Sequence, residues 1–162
     1  MAPNKLSITM SIEGMGTIMK QAFNGETGYI EQQGQKQPMP DSMLKSQKKS
    51  AIFDELTFAD KSISLESLTS IDGKDVYKIK VDNAGDVSYR FYSAEDGLLV
   101  RTETTTKAGE QEVTSVIDYD KYSPVNGVSF PYYFIQKAGP QTLIFNVSNI
   151  KINEGVAIED FN

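Results

Sequence analysis

Leu6, Ile8, Met10 and Ile12 alternate with Lys5, Ser7, Thr9, Ser11 and Glu13, the period of two that marks a β-strand with one buried face. Gly14-Met15-Gly16 then predicts a turn into a second strand near 17–23, and Asn24-Gly25 a turn into a third near 27–32. Past Ile63 the chain is punctuated by Asp72-Gly73, Ala84-Gly85, Asp96-Gly97, Ala108-Gly109, Asn126-Gly127, Gly139-Pro140 and Glu154-Gly155, roughly one every 12 to 18 residues. Asp-Gly and Asn-Gly tolerate the positive φ angles of tight hairpins, so neighbouring strands should pair antiparallel. Seven strands are expected there, at 63–71, 76–81, 87–92, 98–106, 112–122, 128–136 and 142–152. The expected fold is mainly β with one helix, an antiparallel curled meander sheet.

Several strands carry a markedly apolar face: Tyr77, Ile79 and Val81; Val87, Tyr89 and Phe91; Val113, Ile117 and Tyr119; Val128, Phe130, Tyr132 and Phe134; Leu143, Phe145 and Val147. The opposite face is expected to carry Lys78, Lys80, Ser88, Arg90, Asp118, Asp120, Ser129, Asn146 and Ser148. The segment 33–40 is polar and reads as irregular. Asp41 can then cap the single expected helix, 42–56, whose Met43, Leu44, Ala51, Ile52 and Leu56 form an apolar stripe. One such helix covers far less apolar surface than about ten strands present. The sheet must close into a barrel, receive another polypeptide segment, or leave a cavity for an apolar ligand.

At 162 residues the chain is expected to form one domain, 1–162. It contains no apolar run long enough for a membrane-spanning helix. The net charge of -6 argues against nucleic acid as a partner, since that requires a basic surface. Lys45, Lys48 and Lys49 read as a solvated helix face. The chain starts abruptly in a strand with no apolar leader, which suggests a piece cut from a longer protein, lacking an amino-terminal helix and strands. The first strand would then be a bare edge, and a homodimer through it is expected.

With no His and no Cys, most nucleophile–base pairs and soft-metal sites are excluded. Gly14-Met15-Gly16 lacks the helix and lysine of a phosphate loop and reads as a turn. Ser46 stands three residues before Lys49, but on the expected helix and without a supporting motif. Asp118 and Asp120 share one side of a strand and belong to its wet face rather than to a paired-carboxylate site. Asp72, Asp75, Glu95, Asp96, Glu159 and Asp160 have turn spacing, not that of a calcium loop. No catalytic residue, metal site or cofactor is expected.

Tyr89-Arg90-Phe91-Tyr92-Ser93-Ala94-Glu95-Asp96-Gly97-Leu98-Leu99-Val100-Arg101 resembles the strand, D-x-x-x-G-L, strand hairpin of bacterial outer-membrane lipoprotein-sorting proteins, the LolA/LolB-like family. Tyr119 to Tyr132, with Tyr122-Ser123-Pro124-Val125-Asn126-Gly127-Val128-Ser129-Phe130-Pro131, looks like the same family's Y-x-x-V-(D/N)-G-V-x-F-P hairpin. Gly34-Gln35-Lys36-Gln37-Pro38-Met39-Pro40-Asp41 is similar to a segment of the half-barrel at the carboxyl end of Bacteroidetes proteins named as insulinase-type zinc peptidases. The peptidase motif H-x-x-E-H is absent here.

The resemblance implies an incomplete antiparallel barrel with an apolar concave face, in the periplasm or cell envelope. It implies a non-catalytic module that holds a lipid, a lipoprotein acyl chain or a polypeptide segment. The alternative is a structural accessory domain of a zinc peptidase, its partner being the peptidase part of the same chain. The candidate binding residues are Tyr77, Ile79, Tyr89, Phe91, Tyr119, Phe130, Tyr132, Phe134 and Phe145.

Overall fold

The computed structural model describes residues 5–49, 55, 62–83, 86–108 and 111–161. Their contacts group into two units, residues 1–57 with 153–162, and residues 58–152.

In the first unit the alternating segment becomes β1 (Leu6–Ile12), which pairs antiparallel with β2 (Gly16–Phe23), then β3 (Gly28–Gln32) and β4 (Gln35–Pro38) in the order β1-β2-β3-β4. β4 is a correction to the irregular 33–40 segment. Gln33-Gly34 adopts φ angles of 51° and 78°, which close a two-residue hairpin and send the polar segment back along β3. Pro38 fits because β4 is an edge strand. Ala22, Phe23, Tyr29 and Met39 are buried and form the centre of this unit. The helix α1 (Asp41–Lys49) starts one residue earlier than expected, Leu44 N–H donating to the Pro40 carbonyl at 3.0 Å. Ala51, Ile52 and Leu56 lie outside the described residues. A short 3-10 turn, Ile158–Phe161, brings the Phe161 ring within 5.6 Å of Lys5 Nζ.

The second unit is a seven-stranded antiparallel meander of β5 (Ile63–Ile71), β6 (Lys74–Asn83), β7 (Asp86–Ser93), β8 (Leu99–Ala108), β9 (Gln111–Val125), β10 (Val128–Ala138) and β11 (Gln141–Asn146). The strands lie side by side in sequence order, with β5 and β11 at the edges. Among the described residues the strands form two hydrogen-bonded sheets, and the single meander expected past Ile63 is the seven-stranded one. Asp72-Gly73 and Asn126-Gly127 take the predicted left-handed conformations, with φ of 50° and 80°, and of 49° and 84°. The loop after β7 folds back on β6, Ala94 N–H donating to the Asp75 carbonyl at 3.0 Å. β11 ends earlier than expected, at Asn146, and one further ladder bond runs from Val147 N–H to the Tyr132 carbonyl at 2.9 Å.

Candidate functional site

Directly paired residues of an antiparallel sheet point to the same side, so the register decides which side chains share a face. One row of partners crosses the whole second sheet: Leu65, Ile79, Arg90, Thr102, Ile117, Gln136 and Leu143. A parallel row runs Ile63, Val81, Ser88, Thr104, Ser115, Ala138 and Gln141. On the other side of the first row lie Leu68, Tyr77, Tyr92 and Leu99, together with Tyr119, Phe134 and Phe145. Strand alternation adds Phe130 and Tyr132 to this face.

Seven of the nine candidate residues therefore share one face: Tyr77, Ile79, Tyr119, Phe130, Tyr132, Phe134 and Phe145. Tyr89 and Phe91 do not, and the expectation that they would is corrected here. They pair with Lys80 and Lys78 on the opposite face. Lys78 Nζ lies 4.1 Å from the Tyr89 ring centroid and 5.8 Å from that of Phe91, a cation over aromatic rings. Val87 goes with them, opposite Asp82, while Ser88 and Arg90, expected on the wet face, lie on the apolar one. The strand β7 misled because both of its alternating sets contain aromatic residues.

At the β5 edge of the apolar face the side chains are aliphatic and uncovered, Leu65 and Leu68 being 63% and 59% exposed, with Ile63 and Tyr77 also exposed. At the other edge they are aromatic. Phe134 stacks on Phe145 with centroids 4.5 Å apart, Tyr119 tilts against Phe134 at 6.2 Å, and Leu143 is exposed beside them. Between the two apolar ends runs a polar seam of Ser88, Arg90, Thr102, Thr104 and Ser115. Arg90 and Thr102 are buried, at 8% and 9% exposure. Thr102 Oγ1 makes no hydrogen bond among the described residues.

The opposite face is mixed, burying Val76 and Phe91 at 1% and 6% exposure and carrying the ion pairs. Asp118 accepts from Arg101 Nε at 2.6 Å and from Lys137 Nζ at 3.4 Å, at the side of a groove of about 650 Å³. Asp118 is thus committed to structural pairing on the wet face, as expected of it, and Asp120 lies on the same side. Asp96 is turn chemistry. The Leu98 N–H, followed by the Ser93 hydroxyl, holds its carboxyl below the usual carboxylate value. In the first unit the Tyr29 hydroxyl holds the Lys20 ammonium above its usual value, and Lys36 Nζ sits 3.6 Å from the Tyr29 ring centroid. Among the described residues no three acidic side chains converge as a metal ion would require.

No family model matches the chain, and no curated protein matches it. Solved structures do. A LolA superfamily protein from Nitrosomonas europaea is similar with a TM-score of 0.58 at 12% identity, over 94% of this chain and 73% of its own. A structure described as an outer membrane lipoprotein-sorting protein domain, from Vibrio parahaemolyticus, is similar with a TM-score of 0.52 at 13% identity, over 98% of this chain and 81% of its own. At these identities the likeness is one of fold. The fold is mainly β with one described helix, built of antiparallel meander sheets that do not close, and it is LolA-like.

Proposed function

We propose that this chain is a non-catalytic binding module of the bacterial envelope, which holds an apolar ligand such as an acyl chain against one face of the seven-stranded sheet. The observation that carries the reading is the distribution of large apolar side chains. Six of the exposed ones in the second unit, Ile63, Leu65, Leu68, Tyr77, Val128 and Leu143, belong to one face. Apolar surface left in water at about 25 cal/mol per Å² is a standing free-energy cost that a bound chain removes. Tyr77, Tyr119 and Tyr132 add hydroxyls that can orient the guest. The sorting function named for the Vibrio parahaemolyticus neighbour agrees with this reading, and residues 1–162 would act together as one half-barrel domain.

Native and lipid mass spectrometry of the purified protein, with an unrelated protein as blank, tests the proposal. A stoichiometric acyl-chain species is expected, and an empty protein that also fails to bind an added apolar probe would overturn it. That second result would favour a structural accessory domain, such as one attached to a zinc peptidase, for which the burial of Val81 and Thr102 at the middle of the same face speaks. Self-association through β1 belongs to the same proposal. β1 stands at a sheet edge with Ile8, Met10 and Ile12 exposed. Light scattering that gives a monomer at high concentration would remove this part.

A further inference from the structure

The edges of the two sheets are not equally protected. An edge strand offers a row of unpaired N–H and C=O groups, and proteins guard it with a bulge, a proline or a charge. Among the described residues β1 breaks register between Met10 and Ser11, β4 ends in Pro38, and β5 breaks register between Leu65 and Ser67, around Glu66. β11 has none of these devices: Gln141-Thr142-Leu143-Ile144-Phe145-Asn146 carries no charge and no proline, and it pairs with β10 without a break. Leu143 and Ile144 stand 53% and 59% exposed, on opposite sides of the strand. The ladder fixes which backbone groups face outward. Val147 N–H donates to the Tyr132 carbonyl, and bonded pairs alternate along an antiparallel ladder, so Phe145 with Phe134 and Leu143 with Gln136 are the bonded pairs. Thr142, Ile144 and Asn146 therefore direct their N–H and C=O groups away from β10, toward the open edge.

We propose that β11 pairs with β11 of a second copy of this chain, antiparallel about a two-fold axis at Ile144. A centre between two residues would set outward groups against groups already bonded to β10. Centred on Ile144, the outward residues meet only one another, Thr142 with Asn146 and Ile144 with Ile144, each pair exchanging N–H···O bonds. The order of Thr142-Leu143-Ile144-Phe145-Asn146, polar at both ends and apolar between, reads alike in both directions, which is what a two-fold contact demands. Leu143 then falls opposite Phe145 of the second copy in a pair without hydrogen bonds, where side chains approach most closely. That contact lies on the apolar face, and the two Ile144 side chains meet on the other. With no charge in the strand, identical copies do not repel there. A single strand pair buries less than about 1,200 Å² in total, so the dimer belongs to the weak, reversible class. This contact is separate from β1 and does not depend on the apolar-ligand reading.

The chain has no cysteine, so cysteines placed singly in the full chain report the register. Under mild oxidation Ile144→Cys should join to itself, because the paired Cα atoms at the axis lie about 5.5 Å apart, inside the disulfide range. Thr142→Cys is exposed too but faces Asn146, so it should join to itself several-fold more slowly, while a mixture of Thr142→Cys and Asn146→Cys chains crosslinks readily. Sedimentation at rising concentration gives the equilibrium. Ile144→Pro removes an N–H that makes no bond to β10, and Ile144→Lys sets like charges at the axis. Each should weaken the dimer about tenfold or more, with an unchanged circular dichroism spectrum showing that the fold is kept. A monomer at every concentration overturns the proposal, as does equal self-crosslinking of the Ile144→Cys and Thr142→Cys chains. Dimerisation that survives both Ile144 variants and is lost in Met10→Lys assigns the contact to β1 and overturns it as well. None of these results touches the apolar-ligand reading, which probe binding decides.

Discussion

Phe91 and Phe134 are both phenylalanines in the middle of strands of one sheet, and the register gives them different roles that a pair of truncations separates. Phe91 lies on the mixed face at 6% exposure, so Phe91→Ala removes a nearly fully buried ring and costs about 3 kcal/mol or more of stability. For a chain of this size that lowers the thermal midpoint by about 6–12 °C. Phe134 is half-buried on the apolar face, stacked on Phe145. Its truncation should cost less, about 1–2 kcal/mol, part of it the stacking energy. The ligand response is opposite. A ring contributing about 60 Å² of contact at about 25 cal/mol per Å² is worth about 1.5 kcal/mol, so Phe134→Ala should weaken an apolar probe roughly tenfold. Phe91→Ala, measured well below its own unfolding midpoint, should bind as the unmodified protein does. Probe titration beside thermal unfolding gives both numbers. Lost binding in folded Phe91→Ala, together with full binding in Phe134→Ala, would refute the assignment of the binding face.

Gly28→Ala should destabilise the first unit by about 1–3 kcal/mol, seen as a lower urea midpoint. A Cβ there would stand 2.6 Å from the Ala22 carbonyl oxygen and 2.9 Å from Met39 Cε, and the backbone oxygen cannot step aside. Asp118→Asn leaves Arg101 and Lys137 without their shared carboxylate, and should cost about 1–2 kcal/mol at low salt and less at high salt; an unchanged urea midpoint would mean the pairs carry no net energy. Asp96 has a folded-state value below its ordinary 3.8, so its contribution to stability is present above that value and is lost as pH falls through the lower one. Asp96→Asn should therefore be less stable than the unmodified protein near neutral pH, the gap closing in acid below about pH 4. A gap that stays constant with pH would rule out ionisation as its cause.

The sequence alone determined what is local. Strand positions follow from alternation, and the Asp72-Gly73 and Asn126-Gly127 turns follow from residues that accept positive φ at little cost. The two hairpin motifs pointed to the LolA-like fold that the structural neighbours share. The β4 hairpin was missed, since Gln33-Gly34 opens a strand of polar residues with no alternation to see. The candidate face was legible wherever one parity of a strand is plainly apolar, as in β10, and misread in β7, where Tyr89 and Phe91 compete with Arg90 and Tyr92. Counting pairs outward from Asn83 and Asp86 would have placed Arg90 opposite Ile79, but that presumes the two strands pair as a tight hairpin. Only the tertiary structure decided that register. A strand's face is set by its neighbour's hydrogen bonds and not by its own composition, and a shift of one residue exchanges every side chain between the two sides. The polar seam is the same kind of fact. It is made of single residues from β7, β8 and β9 that have nothing in common in the sequence until the ladder sets them side by side.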